Sequence, residues 1–379
     1  MKVASLFAGC GGFDLGFKGG FKHLGIEYEN LPFEVVWAND IDSDAVKTYR
    51  ANSKYFGTHP VVQKDIREIN TNDVPDFDIL LAGFPCQPFS NAGNRKGVTE
   101  KRGTLFEEVE RFVKDKKPIA FILENVKGIL SSKMADGTPV TEEIRKRLQS
   151  FTDEDGNLVE YQIPKAKLLK SNKFGVPQQR QRVFIIGIRS DVGSFEGFNF
   201  DNLYSQTKKE SLNKVKVKHV LENLTSDILH QDDIWSLSPQ AKKMVPYIKR
   251  SWKDIPYEAL PDRFKRIRDN MKKYRSPNFY RRFGLNEING TITASAQPEN
   301  CGILHPLKDR RYSVREIARI QSFPDDFIYP SRNMNNKYKV IGNAVPPVLA
   351  YVIAKTLLNH IHISLEKNDT EMEEVLAVY

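Results

Sequence analysis

The sequence VASLFAGCGGF (Val3–Phe13) joins a short apolar run to a turn that contains three glycines. A strand, a glycine-rich turn and a helix in this order are typical of the first unit of a nucleotide-binding α/β fold, where the turn lets a ligand approach the backbone. The dinucleotide pattern GxGxxG is not matched, because Asp14 occupies the position of the third glycine. The turn therefore favours a ligand without a pyrophosphate.

Further apolar runs alternate with helical patterns in the first half of the chain. The runs predict buried strands at Val3–Phe7, Val35–Ala38, Ile79–Ala82, Ile119–Leu123 and Val183–Ile188. Helices are predicted at Ser43–Asn52, opened by a Ser cap, and at Leu105–Lys114. This alternation predicts an α/β fold with a Rossmann-like, mostly parallel, doubly wound sheet.

A second, smaller domain is expected, because 379 residues exceed what one hydrophobic core usually holds. The alternation of strands and helices is lost near Arg189–Gly193. A Ser-capped helix is predicted to begin at Ser313 and to be terminated by Pro324, and the apolar helix Val345–Leu358 is expected to return to the first core. We therefore predict one domain from residues 1–190 plus 334–379, and an irregular domain from residues 191–333.

The positive charge is concentrated in the second domain. The net charge of the chain is +9, whereas Lys242–Arg282 alone contains fourteen Lys or Arg against four Asp or Glu, a balance of +10 that leaves the rest near −1. Seven aromatic residues are interleaved there: Tyr247, Trp252, Tyr257, Phe264, Tyr274, Phe279 and Tyr280. Cations and aromatics together are typical of nucleic-acid surfaces. A solvated basic face over a local aromatic core explains the composition equally well.

Cysteine usage and hydropathy indicate a cytoplasmic protein. Three cysteines, Cys10, Cys86 and Cys301, are too few and too far apart for a disulfide framework or a zinc site of the CxxC type. No apolar run approaches the roughly 20 residues that cross a bilayer, and the N-terminus lacks the pattern of a secretory signal. We expect neither a bound metal nor a membrane partner.

Polar side chains follow several predicted strands. Asp40 ends the second strand, where a carboxylate can accept hydrogen bonds from a ribose, and Asp65 follows the stretch Val61–Val62. Cys86, in the sequence GFPCQPFS (Gly83–Ser90), and Glu124 follow the next two strands, so a thiol and a carboxyl group are predicted to converge at the carboxyl edge of the sheet. A single cysteine is more commonly a small buried hydrophobe, and a glutamate at a strand end is usually solvated or caps a helix.

Six segments in order resemble the motifs of cytosine-C5 DNA methyltransferases. They are the Phe7–Gly12 turn, Pro85-Cys86-Gln87, Glu124-Asn125-Val126, Gln178–Arg182, Arg315–Pro324 and Gly342–Val345. The resemblance covers the chain from Ser5 to about Leu358. It implies a methyltransferase core with a target-recognition domain at residues 191–333, and double-stranded DNA as the partner.

The resemblance also implies a reaction and its catalytic residues. Cys86 is the nucleophile that adds to C6 of a cytosine rotated out of the duplex, and Glu124 protonates N3. Arg182 contacts the cytosine O2, and Arg180 and Arg182 together steady the site electrostatically. S-adenosyl-L-methionine supplies the methyl group and leaves as S-adenosyl-L-homocysteine, without a metal.

The resemblance places the cofactor at the first glycine turn. The implied cofactor residues are Phe7, Ala8, Gly9, Gly11, Gly12, Asp40, Ile41, Asp65, Ile66, Gly83, Pro85, Leu105, Asn343 and Ala344. Two of them depart from the family pattern, because Ile41 stands where some members have Trp and Ala344 where Ser is common. An isoleucine offers the adenine no aromatic face, which leaves the cofactor affinity open.

Two regions are expected to contact DNA. The loop Gln87–Arg102 is the predicted lid, with Gln87, Ser90, Arg95 and Arg102 facing DNA, although an ordinary surface loop has the same composition. Arg281, Arg282 and Gln297 are the base-contact candidates, because Arg reads guanine edges and Gln reads adenine. We expect a bacterial or phage modification enzyme that is monomeric, with a cognate restriction endonuclease as a possible second partner.

Three alternatives remain at this point. A tRNA cytosine-C5 methyltransferase shares the motif set, and the long basic region before Arg282 favours DNA over tRNA. A catalytically silent DNA-binding protein could use the same fold, against which the intact Cys86, Glu124 and Arg182 argue. A nicotinamide-dependent oxidoreductase is the weakest option, because it requires the dinucleotide pattern that Asp14 interrupts.

Overall fold

The computed structural model describes residues 1–85, 105–192, 198–270 and 278–361, and only the backbone of Asn300. A sheet of nine strands lies at its centre, with the order β5-β4-β1-β6-β7-β11-β9-β8 and with β10 also paired to β11. Its strands are β1 Lys2–Leu6, β4 Glu34–Asp40, β5 Val61–Gln63, β6 Ile79–Ala82, β7 Ala120–Val126, β8 Ser150–Thr152, β9 Leu158–Gln162, β10 Lys167–Lys170 and β11 Gln181–Arg189. A hairpin of β2 Phe21–His23 and β3 Ile26–Tyr28 lies outside it.

Helices cover the sheet and continue into the second half of the described chain. The helices are α1 Gly12–Lys18, α2 Ser43–Ala51, α3 Ser53–Phe56, α4 Leu105–Lys116, α5 Val140–Gln149, α6 Lys209–Asn213, α7 Val217–Leu221, α8 Pro239–Met244, α9 Asp262–Asp269, α10 Pro298–Cys301, α11 Val314–Ile320 and α12 Met334–Asn343. A further helix, α13, spans residues 347–361.

The five predicted strands are present, and each differs from its predicted bounds by three residues or fewer at either end. The strands β5, β4, β1, β6 and β7 are mutually parallel, whereas β11 runs antiparallel to β7. The direction changes because β10 precedes β11 without a crossover helix, and a short connection joins antiparallel neighbours. The mixed α/β fold with a mostly parallel sheet is therefore confirmed.

The strand order creates a switch point between β1 and β6. From β1 the chain proceeds outward through β4 to β5, and from β6 it proceeds the other way to β7. Loops at the carboxyl ends of β1 and β6 therefore diverge and leave a crevice, which is where open α/β sheets bind their ligands. The glycine turn follows β1 and the segment Gly83–Pro85 follows β6, so both flank this crevice.

Two helix caps can be compared with the sequence. The cap of α2 is Asp42, not Ser43, because its carboxylate accepts hydrogen bonds from the backbone N–H groups of Asp44 (2.9 Å) and Ala45 (3.2 Å). Ser43 is instead the first helical residue. The Ser313 cap of α11 is confirmed and is part of a capping box with Glu316, and α11 ends at Ile320, four residues before Pro324.

A separate apolar cluster lies within the basic segment. It joins residues of 237–280 with Leu304, and it includes Trp252, Phe264, Phe279 and Tyr280, which are all at most 5% exposed. For these four aromatics the local-core interpretation is correct and the base-contact interpretation is wrong. Tyr247 and Tyr257 are 49% and 44% exposed, and Tyr274 lies outside the described residues.

The C-terminal helix packs into the main core, as the sequence predicts. Gly16 of α1 approaches α13 so closely that an added Cβ would lie 2.3 Å from the Cβ of Ala350. The stretch Met334–Ile361 is long and apolar enough to cross a membrane by length and composition, and 89% of its most apolar window is buried inside the fold. The stretch therefore forms part of the hydrophobic core.

Candidate active site and cofactor crevice

The glycine turn is held open toward the crevice by strained backbone and by bonds to β4. Phe7 has a φ of 55°, which is rare for a bulky residue, and Gly11 has a φ of 84°. The N–H of Gly9 donates to Oδ2 of Asp40 at 2.8 Å, and the N–H of Ala8 donates to the carbonyl of Asn39 at 2.9 Å. Asp40 thereby fixes the turn that it faces.

The crevice has room beside Gly9. An added Cβ at Gly9 would meet no atom within 4 Å, whereas at Gly11 it would lie 2.5 Å from Cζ of Phe56. Ile41 next to Asp40 is 66% exposed, an unusual position for a large apolar side chain beside a half-buried carboxylate. Partial burial raises the pKa of Asp40, and its bonds from Asp42 and Gly9 oppose that shift. Open space, an apolar face and a half-buried acceptor fit a nucleoside.

The other cofactor candidates surround the same turn to different degrees. Gly12 packs against the Gly342–Val345 segment, since an added Cβ would lie 2.4 Å from the carbonyl of Val345 and 3.2 Å from the Cβ of Ala344. Asn343 is exposed there. Ile66 is buried, Leu105 is half-buried at the start of α4, and Pro85 is exposed.

Asp65 has a partner of its own. Its carboxylate accepts from Nε of Arg67 at 2.9 Å and from the Arg67 backbone N–H at 3.1 Å, and this pair lowers the pKa of Asp65. An incoming adenine would share Asp65 with this arginine.

Glu124 and Arg182 meet at the carboxyl edge beside β6. Oε1 of Glu124 lies 2.9 Å from Nε of Arg182, without the alignment of a hydrogen bond, and the Glu124 side chain is 10% exposed. Oε2 of Glu124 lies 3.7 Å from the position of an added Cβ at Gly83. The amide of Asn125 donates to the carbonyl of Phe84 at 3.0 Å. The segment that leads to Cys86 is thereby held against the Glu124 carboxylate.

Several predicted site residues lie outside the described residues. These are Cys86, Gln87, Ser90, Arg95 and Arg102. Pro85 is the last described residue before them.

Arg180 and Arg182 point to different surroundings. Arg182 forms the ion pair with Glu124, whereas the guanidinium of Arg180 is fully buried and donates to the backbone carbonyls of Ile292 and Gly342, each at 2.9 Å. The structure therefore brings Arg182 to the predicted catalytic carboxyl group and Arg180 to the protein backbone.

The three base-contact candidates differ in exposure and in hydrogen-bond partners. Arg282 is 7% exposed and donates to the carbonyls of Ile248 (2.9 Å) and Lys308 (2.7 Å). It also forms an ion pair with Asp309 at 2.8 Å, and these partners argue against the predicted base contact. Arg281 is more accessible, with an ion pair to Glu287 at 2.8 Å, and Gln297 is half-buried at the start of α10.

Two contributors to the site escaped the sequence interpretation. Asn125 was only part of a quoted motif, yet it holds the loop before Cys86. Gln178 is fully buried, and its side chain binds both the Ile292 N–H (2.9 Å) and the Ile320 carbonyl (3.2 Å). The available signal for Gln178 was its position in the polar motif Gln178–Arg182. Its partners Ile292 and Ile320 lie more than 100 positions away in the sequence, so no local pattern predicts them.

Comparison with known proteins agrees with this geometry. The family model of C-5 cytosine-specific DNA methylases matches residues 1–359. The chain is 32% identical to the Type II methyltransferase M.NgoFVII of Neisseria gonorrhoeae, over 99% of this chain and 92% of that protein. It is also 32% identical to the Type II methyltransferase M.FnuDI of Fusobacterium nucleatum, over 94% of each.

The fold has solved counterparts. The Dnmt2 methyltransferase of S. pombe superposes with a TM-score of 0.61 over 95% of this chain and 99% of that one, at 18% identity. At this identity the likeness concerns the fold alone. The family match and the two relatives cover nearly the whole chain, so the protein belongs to the C-5 cytosine-specific DNA methylases and is a DNA (cytosine-5-)-methyltransferase.

Proposed function

We propose that this enzyme transfers a methyl group from S-adenosyl-L-methionine to C5 of a specific cytosine in double-stranded DNA, through a covalent bond between Cys86 and C6. The observation that carries the proposal is the meeting of Glu124, Arg182 and the Gly83–Pro85 segment at the edge of the crevice. Cys86 directly follows Pro85 in the sequence. A nucleophile, a proton donor and a cation are then available to one base.

The steps follow from the chemistry of the base. The Cys86 thiolate adds to C6, the electron pair of the C5–C6 double bond shifts to C4–C5, and that of the C4–N3 double bond shifts to N3, which takes a proton from Glu124. The resulting enamine makes C5 nucleophilic. Arg182 stabilises the cytosine O2 and keeps the Glu124 carboxyl group in place. The donor would supply the methyl group to C5 as its bond from the methyl carbon to the sulfonium sulfur breaks, with S-adenosyl-L-homocysteine as the leaving group. Loss of the C5 proton to water, departure of the Cys86 sulfur as thiolate and return of the N3 proton to Glu124 restore the aromatic ring.

The described crevice fits S-adenosyl-L-methionine. The donor supplies an electrophilic methyl group. Asp40 is placed to accept from the ribose, since a carboxylate keeps further lone pairs beyond the two backbone bonds it already accepts. Ile41 offers an apolar face to the adenine. Asn343 is exposed in the segment that packs against Gly12 of the turn. The backbone at Gly9 leaves space for the ligand.

The DNA side of the proposal rests on charge. We propose residues 191–333 as the target-recognition domain and residues 1–190 plus 334–379 as the catalytic domain, with Arg281 and Gln297 among the base contacts. The loop Gln87–Arg102 closes over a cytosine that has left the helix, at a cost of a few kcal/mol for unstacking. We further propose that the enzyme is a cytoplasmic monomer and belongs to a restriction-modification system that includes a cognate restriction endonuclease.

The experiment that tests the reaction is a map of 5-methylcytosine. The protein is expressed in a host that lacks cytosine methylation, and the host DNA is sequenced after bisulfite or enzymatic conversion. We expect full methylation of one short sequence motif. Methylation of tRNA instead of DNA in a purified assay would identify the tRNA enzyme, and no product in either substrate at saturating cofactor would indicate a silent binding protein.

The covalent step has its own test. We expect Cys86→Ala to abolish methyl transfer, while the affinity for duplex DNA stays within about threefold of the wild type, since phosphate contacts dominate affinity. Cys301→Ala is the control for loss of a thiol, because Cys301 is a buried free cysteine on α10. Its sulfur contacts Thr293 and Gln297, so this control is compared for methyl transfer and not for DNA affinity. A duplex with 5-fluorocytosine at the target should trap the wild type covalently, as fluorine cannot leave as a cation. Residual transfer by Cys86→Ala would exclude this mechanism.

A further inference from the structure

One buried arginine lies between the segment proposed to read DNA and the segment proposed to hold the cofactor. The first segment includes Ile292 and Thr293, a few residues before Gln297. The second includes Gly342 and Asn343. The guanidinium of Arg180 donates from one nitrogen to the carbonyls of Ile292 and Gly342, each at 2.9 Å, and from another to the carbonyl of Asn343 at 3.4 Å.

Arg180 is an unusual cation. Its side chain is fully buried, and within the described residues no carboxylate lies at ion-pair distance from it. A buried guanidinium is costly unless its N–H groups are satisfied. Three backbone carbonyls accept from Nη1 and Nη2 and offset part of the desolvation of Arg180, whereas Nε has no hydrogen-bond partner among the described residues. If either segment moved, Arg180 would lose hydrogen bonds that water cannot replace.

One further contact fixes Ile292, and another joins the two segments directly. The side-chain oxygen of Gln178 accepts from the N–H of Ile292 at 2.9 Å, so Ile292 is held through both its N–H and its carbonyl. Gly342 packs against Thr293, the residue that follows Ile292. An added Cβ at Gly342 would lie 2.3 Å from the carbonyl of Thr293 and 2.9 Å from the nitrogen of Ala294. The two segments therefore cannot shift independently without breaking hydrogen bonds or a close packing contact.

We propose that Arg180 is a positioning residue that couples cofactor binding to DNA recognition, by holding Ile292 and Thr293 in fixed register with Gly342 and Asn343. The inference rests on the proposed function, since it assumes that cofactor and DNA bind at these segments. A ligand that orders Asn343 also orders the Arg180 network, and through it the segment ahead of Gln297. Cofactor binding should therefore increase the affinity for DNA. By thermodynamic linkage DNA binding must then increase the affinity for the cofactor by the same factor.

The planar fork of arginine is what the geometry requires. Its donors lie in one plane at fixed angles, so one side chain can bridge carbonyls from two segments at once. A lysine at this position keeps the positive charge but presents a single nitrogen on a flexible stem. Arg180→Lys therefore removes the bridge while it retains the charge next to Arg182 and Glu124.

The test measures coupling rather than activity alone. The affinity for S-adenosyl-L-homocysteine is determined by calorimetry with and without a duplex that carries the mapped target site. In the wild type we expect the duplex to tighten binding by about 5- to 150-fold, the usual range of coupling between sites. In Arg180→Lys we expect the factor to fall to about two or less, and Gly342→Ala should lower it through the contact with Thr293.

The matched control is Arg315→Lys. Arg315 is also fully buried and donates to three backbone carbonyls, those of Leu229, Pro324 and Phe327, but it touches neither segment. We expect this variant to lose stability and to keep the wild-type coupling factor.

Three results would overturn the inference. They are a wild type without coupling, an Arg180→Lys protein that keeps the wild-type factor, and an equal loss of coupling in Arg315→Lys. If Arg180→Lys does not fold, Gly342→Ala decides by the same criterion. A failure of the proposed function appears earlier and separately, as the absence of 5-methylcytosine in the map.

Discussion

Buried charged side chains in this protein serve two different ends. Arg282 and Arg315 donate hydrogen bonds to backbone carbonyls, and these bonds hold loops that have no regular secondary structure. Glu124 and Arg182 form an ion pair at a strand end, and one Glu124 oxygen faces the space beside Gly83. Only the second kind keeps a polar atom available to a substrate, which is why the chemistry is assigned to it.

Replacement of Glu124 by Gln tests the proton donor. The amide keeps the shape of the side chain but cannot deliver a proton, so we expect kcat to fall by about 100-fold or more, the lower end of general acid catalysis. The affinity for S-adenosyl-L-homocysteine should change by less than about threefold. Single-turnover kinetics and calorimetry measure the two effects.

Glu110→Gln is the matched control for that experiment. Glu110 on α4 is equally shielded, with a side chain 10% exposed, and it pairs with Arg147 on α5 and with Lys114 on α4. We expect normal kcat in this variant. An unchanged kcat in Glu124→Gln would remove Glu124 from the mechanism.

Asp14 gives the stability of the fold a pH dependence. It is fully buried beneath the glycine turn and accepts from the hydroxyl of Tyr49 at 2.7 Å. Burial raises the pKa of Asp14 from 3.8 to about 6. Between these values the folded protein binds a proton that the unfolded chain has released, so this contribution to stability is present at low pH and is lost as the pH rises to about 6.

Asp14→Asn should remove that dependence, because the amide oxygen still accepts from Tyr49 but does not ionise. From pH 4 to pH 7 we expect the free energy of unfolding of the wild type to fall relative to the variant by about 2 kcal/mol, most of the value of a shift of two pKa units. Urea unfolding at four pH values measures this difference. Parallel curves for the two proteins would contradict the assignment.

The glycine turn after β1 combines two glycines with different surroundings. Gly11 is packed on the rings of Phe56 and Tyr49, which stack with centroids 4.1 Å apart, whereas Gly9 faces empty space. Both have positive φ, so both resist substitution to some degree. The neighbouring atoms distinguish a glycine needed for packing from a glycine needed by a ligand.

Alanine at each position separates these roles. Gly11→Ala should lower the melting temperature strongly, because its Cβ would overlap Phe56. In Gly9→Ala we expect only the strain of positive φ, about 1–2 kcal/mol, together with a larger relative loss of S-adenosyl-L-homocysteine affinity. Thermal unfolding and calorimetry report the two losses. Equal affinity in Gly9→Ala and the wild type would place the cofactor elsewhere.

The predictability of the elements follows from how local their causes are. Strands such as β6, with four fully buried apolar residues, are predicted directly from their continuous apolar runs. The cap of α2 was assigned one residue too late, because Asp42 and Ser43 are both good caps and only the backbone conformation distinguishes them. The direction of β11 depended on its pairing with β7 and β10, which no local pattern encodes.

The charge of the whole molecule predicts a salt-dependent affinity for DNA. On α9, Phe264 and Ile267 face the separate apolar cluster, and Arg263 and Arg266 are exposed. Each neutralised phosphate contributes about 0.9 to the slope of log affinity against log salt. We expect replacement of both arginines by alanine to reduce that slope by about 1–2, measured by fluorescence anisotropy from low to physiological salt.

A control for this experiment lies at the amino edge of the sheet. Lys2 begins β1 and Lys114 lies near the end of α4, which leads into the start of β7. Alanine at both positions removes the same charge at the amino edge, where the slope should stay unchanged. If the two double variants behave alike, net charge and not a defined face governs DNA binding.

The sequence by itself determined five buried strands of the sheet, the order of the motifs and the family, because buried strands, turns and strand-end side chains depend on local residue patterns. It also placed Glu124 at the carboxyl edge of the sheet, since the carboxyl ends of adjacent parallel strands must meet there. Only the tertiary structure decided that Arg182 faces Glu124 while Arg180 and Arg282 bind backbone, and that four aromatics of the basic segment form a core. Those outcomes depend on contacts such as that of Arg180 with Gly342, 162 positions apart, and no local pattern specifies a partner at that separation.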